Sequence, residues 1–339
     1  MIPVSVITGF LGSGKTTLLA RLLRDPGMAR TAVIINEFGA VGLDHELVEA
    51  SDESLVELSN GCLCCNVRSD LVLTLNDLAA RRAAGTVPRF ERVVIETTGL
   101  ADPAPILHAL MTDRAVNERY ALDGVIATVD AVTGLATLGN HHESVRQAAV
   151  ADRLIVTKTD VPGHQAAQLR ARLAEINPGA PLFEAVGGNV APSALFDCNE
   201  AGTARWLAHA GTHAHTGGIT SFALVREEPL HAVTLSLLLE ALAENCGADL
   251  LRVKGIVNVR EEPARPAVIH GVQHVYHAPV WLPRWPSADR RTRMVFIGRN
   301  LRESWAKGLL ELIDAEVAAE IARRAKTRVA ERSAEIISG

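Results

Sequence analysis

One short segment near the start of the chain constrains the fold more than any other. Residues 9–16 read GFLGSGKT, which fits the pattern G-x-x-x-x-G-K-[ST]. They lie between an apolar run at residues 4–8 and a helical pattern at residues 16–23. In a strand–loop–helix unit, the backbone N–H groups of such a loop surround a phosphate, and the helix N-terminus adds its positive end. This context favours a phosphate-binding loop (P-loop) over a glycine-rich turn without a ligand.

The residue types of the P-loop predict individual roles. Lys15 is expected to reach the β- and γ-phosphates of a nucleoside triphosphate, and the Thr16 hydroxyl to bind Mg²⁺. We therefore expect both side chains to take part in catalysis as well as binding. The predicted nucleotide-binding residues of this segment are Gly9, Gly12, Ser13, Gly14, Lys15, Thr16 and Thr17.

The pattern that follows the P-loop predicts a parallel sheet. Runs such as residues 93–95 and 154–156 are apolar throughout, as strands buried on both faces must be. Alternation of such runs with helical patterns predicts an α/β fold, a mostly parallel P-loop NTPase sheet flanked by helices. The predicted strands are residues 4–8, 31–36, 55–58, 92–96, 124–130 and 153–157, and the predicted helices are residues 16–23, 71–84 and 165–173.

In the second half of the chain, predicted strands and helices no longer alternate regularly. From residue 219, several strand patterns follow one another between helical patterns at residues 231–244 and 301–312, which predicts a smaller α+β domain with a largely antiparallel sheet. The predicted division is a P-loop GTPase domain at residues 1–188, a linker at 189–218, the α+β domain at 219–315 and a helical tail at 316–339. The predicted linker contains His209, His213 and His215.

A second nucleotide motif follows the apolar run at residues 153–157. Residues 157–160 read TKTD and resemble the N-K-x-D motif with which GTPases recognise guanine. Asp160 can accept hydrogen bonds from guanine N1–H and N2–H₂, a donor pair that adenine lacks, while the stem of Lys158 lies along the base. Thr157 is shorter than the usual asparagine, so we expect one contact to be weaker. The alternative is a surface loop that follows a strand.

A carboxylate and a glycine follow another strand of the predicted sheet. Glu96 closes the apolar run at residues 92–96 and begins the sequence ETTG. In P-loop proteins this position supplies a carboxylate that holds Mg²⁺ and a glycine that contacts the γ-phosphate. We assign these roles to Glu96 and Gly99. Leu100 stands where some GTPases place a glutamine that orients water, so hydrolysis is expected to be slow.

Three of the five cysteines crowd into one short segment. Residues 61–65 read GCLCC, between a predicted strand and a predicted helix. Thiolates are preferred ligands of Zn²⁺, and a nearby helix N-terminus favours the thiolate form. We therefore predict a metal site at Cys62, Cys64 and Cys65. Small buried thiols or a redox pair remain the alternatives.

Composition excludes some classes of partner. The formal net charge is −5 at pH 7, so a sequence-independent nucleic-acid binder with a basic face is not expected. No apolar stretch reaches the roughly 18 residues that a membrane helix needs. The N-terminal residues enter the first predicted strand without the pattern of a signal peptide, which favours the cytoplasm.

Taken together, the motifs GFLGSGKTT, NEFG, GCLCC, ETTGLADP and TKTD resemble the CobW-type GTPases, a metallochaperone family, in order and spacing. The resemblance covers roughly residues 1–315. It implies that GTP with Mg²⁺ binds at the P-loop, that Zn²⁺ or Co²⁺ binds at the cysteines, and that hydrolysis drives transfer of the metal to a client metalloprotein. Two readings from other classes remain open: a P-loop kinase or ATPase with structural cysteines, and a non-catalytic metal-storage or regulatory protein.

The chain departs from the family pattern beside the NEFG motif. Members of the family often carry metal-binding carboxylates on either side of it, whereas this chain has Ile35 and Ala40 there. Glu37, inside the motif, is the nearest matching carboxylate. The resemblance also implies that the linker histidines form a shortened metal-collecting loop, with solvated spacers as the equal alternative.

Overall fold

The N-terminal half of the chain forms a parallel sheet. In this computed structural model, the described residues are 1–35, 55–57, 67–196, 214–216, 219–247 and 249–338, with the backbone alone described at 55–57, 67–68, 214–216 and 328–338. Seven strands pair in the order β3-β2-β4-β1-β5-β6-β7, all parallel. They are β1 (Ile2–Gly9), β2 (Thr31–Ile35), β3 (Leu55–Glu57), β4 (Arg92–Glu96), β5 (Tyr120–Asp130), β6 (Arg153–Thr157) and β7 (Leu182–Ala185).

Helices cover both faces of this sheet, as apolar strands require. They are α1 (Lys15–Leu22), α2 (Val67–Ala84), α3 (Ala104–Thr112), α4 (Arg114–Asn117), α5 (Gly134–Asn140), α6 (His142–Val150), α7 (Ala166–Ile176) and α8 (Pro192–Leu195). Successive side chains of a strand point to opposite faces of the sheet, so each face has its own apolar core. One face of the sheet packs against α1 and α8, and the opposite face packs against α2, α3, α6 and α7. The predicted α/β P-loop architecture is confirmed.

The C-terminal half forms an antiparallel sheet. Its strands are β8 (Ala214–Thr216), β9 (Ile219–Arg226), β10 (Leu250–Val257), β11 (Ala267–Val272), β12 (Val275–Tyr276), β13 (Val280–Trp281) and β14 (Thr292–Arg299). They pair in the order β12-β11-β10-β14-β9-β8, with β13 also against β11. One face packs on the helices α9 (Ala232–Cys246) and α10 (Glu303–Ser338), and the other packs on α6 and α7 of the first domain.

Several elements differ from the sequence-based expectation. The helices α3 to α6 and α8 were not predicted, and α8 lies inside the predicted linker. Strand β7 was not predicted, because it lies at the edge of the sheet and its first three residues are only partly buried or exposed. Strand β8 lies inside the predicted linker and pairs with β9. Helix α10 continues from the predicted helix through the predicted tail, since residues 309–338 contain no glycine or proline and favour helix throughout. Within the described residues, no helix has the length and hydrophobicity of a membrane span.

A buried ionic cluster joins the two sheets. The carboxylate of Asp152, just before β6, accepts hydrogen bonds from Arg252, at 2.7 Å, and from Lys254, both on β10. Burial alone would raise the pKa of Asp152, but the two cations outweigh it and hold this pKa well below its usual value. Burial and the same two cations lower the pKa of the nearby His270, which keeps the imidazole neutral. The C-terminal sheet is thus fixed to the first domain by charge as well as by apolar packing.

Removing the carboxylate should destabilise the fold. Asp152→Asn leaves two buried cations without their counter-ion, and such a loss typically costs about 3–5 kcal/mol of folding free energy. Denaturation should show this loss above the ordinary aspartate pKa of about 3.9, because a carboxylate with a depressed folded pKa stabilises the protein there and loses its effect as pH falls further. Asp77→Asn, which breaks the exposed Asp77–Arg81 pair on α2, is the control and should change stability by less than about 1 kcal/mol. Equal stability of the two variants would contradict the assigned role of the cluster.

Candidate functional site

The carboxyl ends of four adjacent strands carry the polar residues of the site. Strands β1, β4, β5 and β6 end at Gly9, Glu96, Asp130 and Thr157. Because the strands are parallel, their carboxyl ends lie at one edge of the sheet, which is where ligands bind in open α/β sheets. The motifs at residues 9–16, 96–99 and 157–160, which are far apart in the sequence, therefore meet at this edge.

The P-loop glycines adopt backbone conformations that other residues avoid. Gly9, Gly12 and Gly14 have φ angles of 144°, 71° and 91°. A Cβ atom on Gly9 would lie only 2.4 Å from Thr128 Oγ1, so a side chain there would collide with β5. Gly14 is the left-handed residue that precedes α1, so the helix begins at Lys15 directly behind the loop. The conformation needed to surround a phosphate is thus built into the backbone.

The predicted phosphate and magnesium groups lie at the centre of this edge. Lys15 is buried, and its Nζ donates to the backbone carbonyls of Gly9, at 2.9 Å, and Phe10, at 3.3 Å, so its ammonium lies within the P-loop. The Thr16 hydroxyl donates to Glu96 Oε1 at 2.8 Å. A hydroxyl and a carboxylate in contact are the oxygen donors that Mg²⁺ uses at nucleotide sites. The residues present therefore fit a magnesium ion.

The TKTD segment is tied to the P-loop by its first residue. The buried Thr157 hydroxyl donates to the Ser13 carbonyl at 2.7 Å, while the Ser13 hydroxyl lies 2.6 Å from Thr128 Oγ1. Threonine is thus long enough to reach the loop from the end of β6. Asp160 is exposed, three residues beyond the strand end, where its carboxylate is open to a ligand.

Sequence reasoning missed Asp130, which is the last residue of β5 and contacts Lys158 of the TKTD segment. Its carboxylate accepts Lys158 Nζ at 2.7 Å and the backbone N–H groups of Val132 and Thr133 at 2.6 and 3.1 Å. Burial opposes ionisation, but these hydrogen bonds outweigh it and lower the pKa of Asp130. The ionised carboxylate holds Lys158, whose φ of 57° is left-handed, in one direction. The only signal in the sequence was an aspartate at the end of an apolar run.

The ETTG segment packs directly against the P-loop. Thr97 Oγ1 donates to Thr8 Oγ1 at 2.9 Å, which ties the segment to β1. A Cβ atom on Gly99 would lie 2.6 Å from Leu11 Cδ2 and 2.7 Å from Leu11 N, so only glycine allows this approach. Leu100 is exposed beside it. Thr17, on α1, is also exposed at the surface next to the loop.

The predicted zinc site and part of the predicted histidine loop lie outside the described residues. They are Glu37, Cys62, Cys64, Cys65, His209 and His213; for His215 only the backbone, in β8, is described. In the part of the chain that the structure does describe, no group of three or more histidine, cysteine or acidic side chains is arranged to hold a metal. Cys246 is a buried free thiol.

Comparison with known proteins identifies the family. Residues 3–184 match the nucleotide-binding domain described as CobW/HypB/UreG, and residues 219–313 match the cobalamin synthesis protein CobW C-terminal domain. The first match alone spans more than half of the chain. The chain belongs to the CobW family.

Relatives of this CobW-family chain are similar over most of their length. The zinc chaperone YjiA of Escherichia coli is 36% identical over 307 residues, which are 89% of this chain and 95% of YjiA. The zinc-regulated GTPase metalloprotein activator 1 of Saccharomyces cerevisiae is 28% identical over 91% of this chain and 82% of the yeast protein. A crystal structure of zinc-bound YjiA GTPase superposes with a TM-score of 0.68 at 30% identity, covering 92% of this chain and 98% of YjiA.

The contact between Gly99 and the P-loop generates a prediction for the CobW-family chain. Gly99→Ala forces the backbone at Leu11 to move, and overpacking of this kind costs about 1–3 kcal/mol, so affinity for a GTP analogue should fall by about tenfold or more. Titration with a fluorescent GTP analogue measures this change. Gly139→Ala on α5 is the control, because no atom beyond its chain neighbours and the backbone of its own helix lies within 4 Å of the added Cβ. Indistinguishable affinities of the two variants would show that the loops do not depend on this contact.

Proposed function

We propose that this chain is a GTP-dependent metallochaperone. It binds GTP with Mg²⁺ at the P-loop, carries Zn²⁺ (or Co²⁺) as cargo on Cys62, Cys64 and Cys65, and delivers the metal to a client metalloprotein. The observation that carries the nucleotide half is the contact between Thr16 and Glu96 beside the Lys15 ammonium. The names of the relatives, zinc chaperone and metalloprotein activator, support the metal half.

The chemistry of the proposed reaction follows from the groups at the sheet edge. Water attacks the γ-phosphorus of GTP, the bond to the β–γ bridging oxygen breaks, and GDP and phosphate leave. Lys15 balances negative charge on the β- and γ-phosphates, while Thr16 and Glu96 hold the Mg²⁺ that supplies further positive charge there. Leu100 offers no group to orient water, so the intrinsic rate is slow.

Sheet topology supports coupling between the nucleotide and the cysteines. Ile35, the last residue of β2, pairs with Glu96 on one side and Glu57 on the other. The end of β3, from which the chain continues to the cysteines, therefore lies two strand spacings, about 10 Å, from Glu96. Cys62 follows Glu57 by five residues, which extend at most about 17 Å. A GTP-dependent change at this edge can thus reach the metal ligands.

Guanine selection tests the nucleotide half. Asp160→Ala removes the acceptor of two hydrogen bonds to guanine, and bonds to a charged group are strong enough that GTP affinity should fall by about a hundredfold. ATP affinity should not change, since adenine lacks this donor pair. Glu118→Ala is the control, because Glu118 is an exposed carboxylate just before β5, at the opposite edge of the sheet. A GTP-over-ATP preference that survives Asp160→Ala would move guanine recognition elsewhere, and a wild-type preference for ATP would favour the kinase or ATPase reading.

Metal binding tests the cargo half. Cys64→Ala should weaken Zn²⁺ binding by at least about a hundredfold, since even loss of an outer partner of a metal ligand costs ten- to a hundredfold, and should leave GTP binding intact. Binding should release protons and weaken as pH falls, because thiols must deprotonate first. The buried Cys246→Ala is the matched control and should retain the metal.

Cobalt substitution reports the ligands directly. Thiolate-to-cobalt charge-transfer bands should appear in the wild-type protein and be stronger with GTP and Mg²⁺ than with GDP. Equal spectra in both nucleotide states would contradict the proposed effect of the nucleotide on the metal ligands, but not the metal site itself. Absence of thiolate bands in both states would overturn the metallochaperone proposal and leave a nucleotide-binding protein with structural cysteines.

A further inference from the structure

The loop that follows Glu96 is held from outside by helix α6. Gln147 is buried, with 1% of its surface exposed, and its Nε2 donates to the backbone carbonyls of Gly99 at 3.2 Å and Ala101 at 3.0 Å. The preceding residue, Arg146, forms an ion pair with Asp102 at 2.9 Å. Two consecutive side chains of α6 thus hold residues 99–102. Neither was expected from a sequence motif.

Helix α6 is itself fixed at both ends. Before its first turn, the His141 ring lies 4.5 Å from the Phe10 ring of the P-loop. At its C-terminal end, Asn177 Nδ2 donates to the carbonyls of Ala148, Ala149 and Ala151, and Arg252 donates to the carbonyl of Val150. These bonds satisfy carbonyls that a helix end leaves without partners. Gln147 therefore projects from a support that cannot shift without losing several hydrogen bonds.

The bond to Gly99 sets the direction of a backbone N–H group. A trans peptide is planar, so its C=O and N–H point in opposite directions. Since the Gly99 carbonyl points towards Gln147, the Leu100 N–H points away from α6. Gly99 also packs closely against Leu11 of the P-loop, because a Cβ added to Gly99 would lie 2.6 Å from Leu11 Cδ2. The orientation of this peptide is thus fixed between α6 and the P-loop.

We propose that Gln147 is a positioning residue for GTP hydrolysis. It orients the Gly99–Leu100 peptide towards the γ-phosphate side of the site, and Arg146 supports it through Asp102. This inference rests on the proposed GTPase function. Because the Leu100 side chain cannot orient water, the groups that face the γ-phosphate on this loop are backbone groups. Gln147 fixes the orientation of these backbone groups without itself contacting the nucleotide.

Replacing the amide by a carboxylate of the same shape tests the proposal. Gln147→Glu cannot donate to the two carbonyls, so kcat for GTP should fall by about tenfold or more, given the usual strength of two hydrogen bonds. Affinity for GDP should stay unchanged, while affinity for a non-hydrolysable GTP analogue should fall. Gln168→Glu, an exposed residue of α7, introduces the same charge and should leave all three quantities unchanged.

A pH profile of kcat, measured together with the affinity for GDP, separates positioning from a general structural role. Burial raises the pKa of a carboxyl, and a protonated glutamate regains one donor, so the kcat of Gln147→Glu relative to wild type should recover between about pH 8 and about pH 6. A structural defect caused by the buried charge would also recover on acidification, but it would lower the affinity for GDP together with the affinity for the GTP analogue. A ratio that is constant with pH, or a loss of GDP affinity equal to the loss of analogue affinity, would overturn the proposal.

Two further variants, Arg146→Ala and Lys15→Ala, allow a conclusion even if Gln147→Glu does not fold. If Gln147→Glu does not fold, Arg146→Ala, at a partly exposed site, should still lower kcat and analogue affinity without changing GDP affinity; unchanged kinetics of a folded Arg146→Ala would contradict the proposal. Lys15→Ala gives the rate without the P-loop cation. If wild type does not exceed that rate, the proposed GTPase function itself has failed, whereas a normal wild-type rate with unaffected α6 variants rejects only the role of Gln147.

Discussion

The parallel alignment of β1, β4, β5 and β6 is the constraint on which the rest of the site depends. Because these strands run in one direction, their last residues meet at one edge although they are separated by many residues in the chain. Each strand end then contributes a different polar group, namely the P-loop turn, the Glu96 carboxylate that accepts from Thr16, the Asp130 carboxylate that holds Lys158 and the Thr157 hydroxyl that contacts the P-loop. No single motif would form a nucleotide site without this common edge.

The sequence predicted the parts of the structure in which local pattern and tertiary environment agree. Strands β4 and β6 match their predicted bounds because fully buried parallel strands are apolar throughout. Strand β7 escaped prediction because an edge strand is only half covered, and β8 because a short strand in a glycine- and alanine-rich stretch leaves no alternation. Helix α10 was predicted in two pieces, although nothing in residues 309–338 interrupts a helix.

The same distinction applies to the site. The P-loop and the Glu96 segment could be located from the sequence because the motifs expected at phosphate and magnesium place particular residues at fixed spacing. Asp130 and Gln147 were not, since each acts on a partner that only the fold brings near, 28 residues away for Lys158 and 48 for Gly99. Both contacts join residues of the protein itself, so the chemistry of a ligand dictates no motif around them.

Helix α6 connects these observations to the second domain. Its middle holds the loop beside Glu96, while its last carbonyls accept hydrogen bonds from Arg252 of the C-terminal sheet, which also pairs with Asp152. A rearrangement of that loop cannot move α6 without disturbing a buried ion pair, because packed interiors do not deform continuously. If a partner that binds the C-terminal sheet changes nucleotide affinity through these contacts, linkage requires the nucleotide to change the affinity for that partner by the same factor. The antiparallel sheet is therefore connected to the loop beside Glu96 through hydrogen bonds at both the end and the middle of α6.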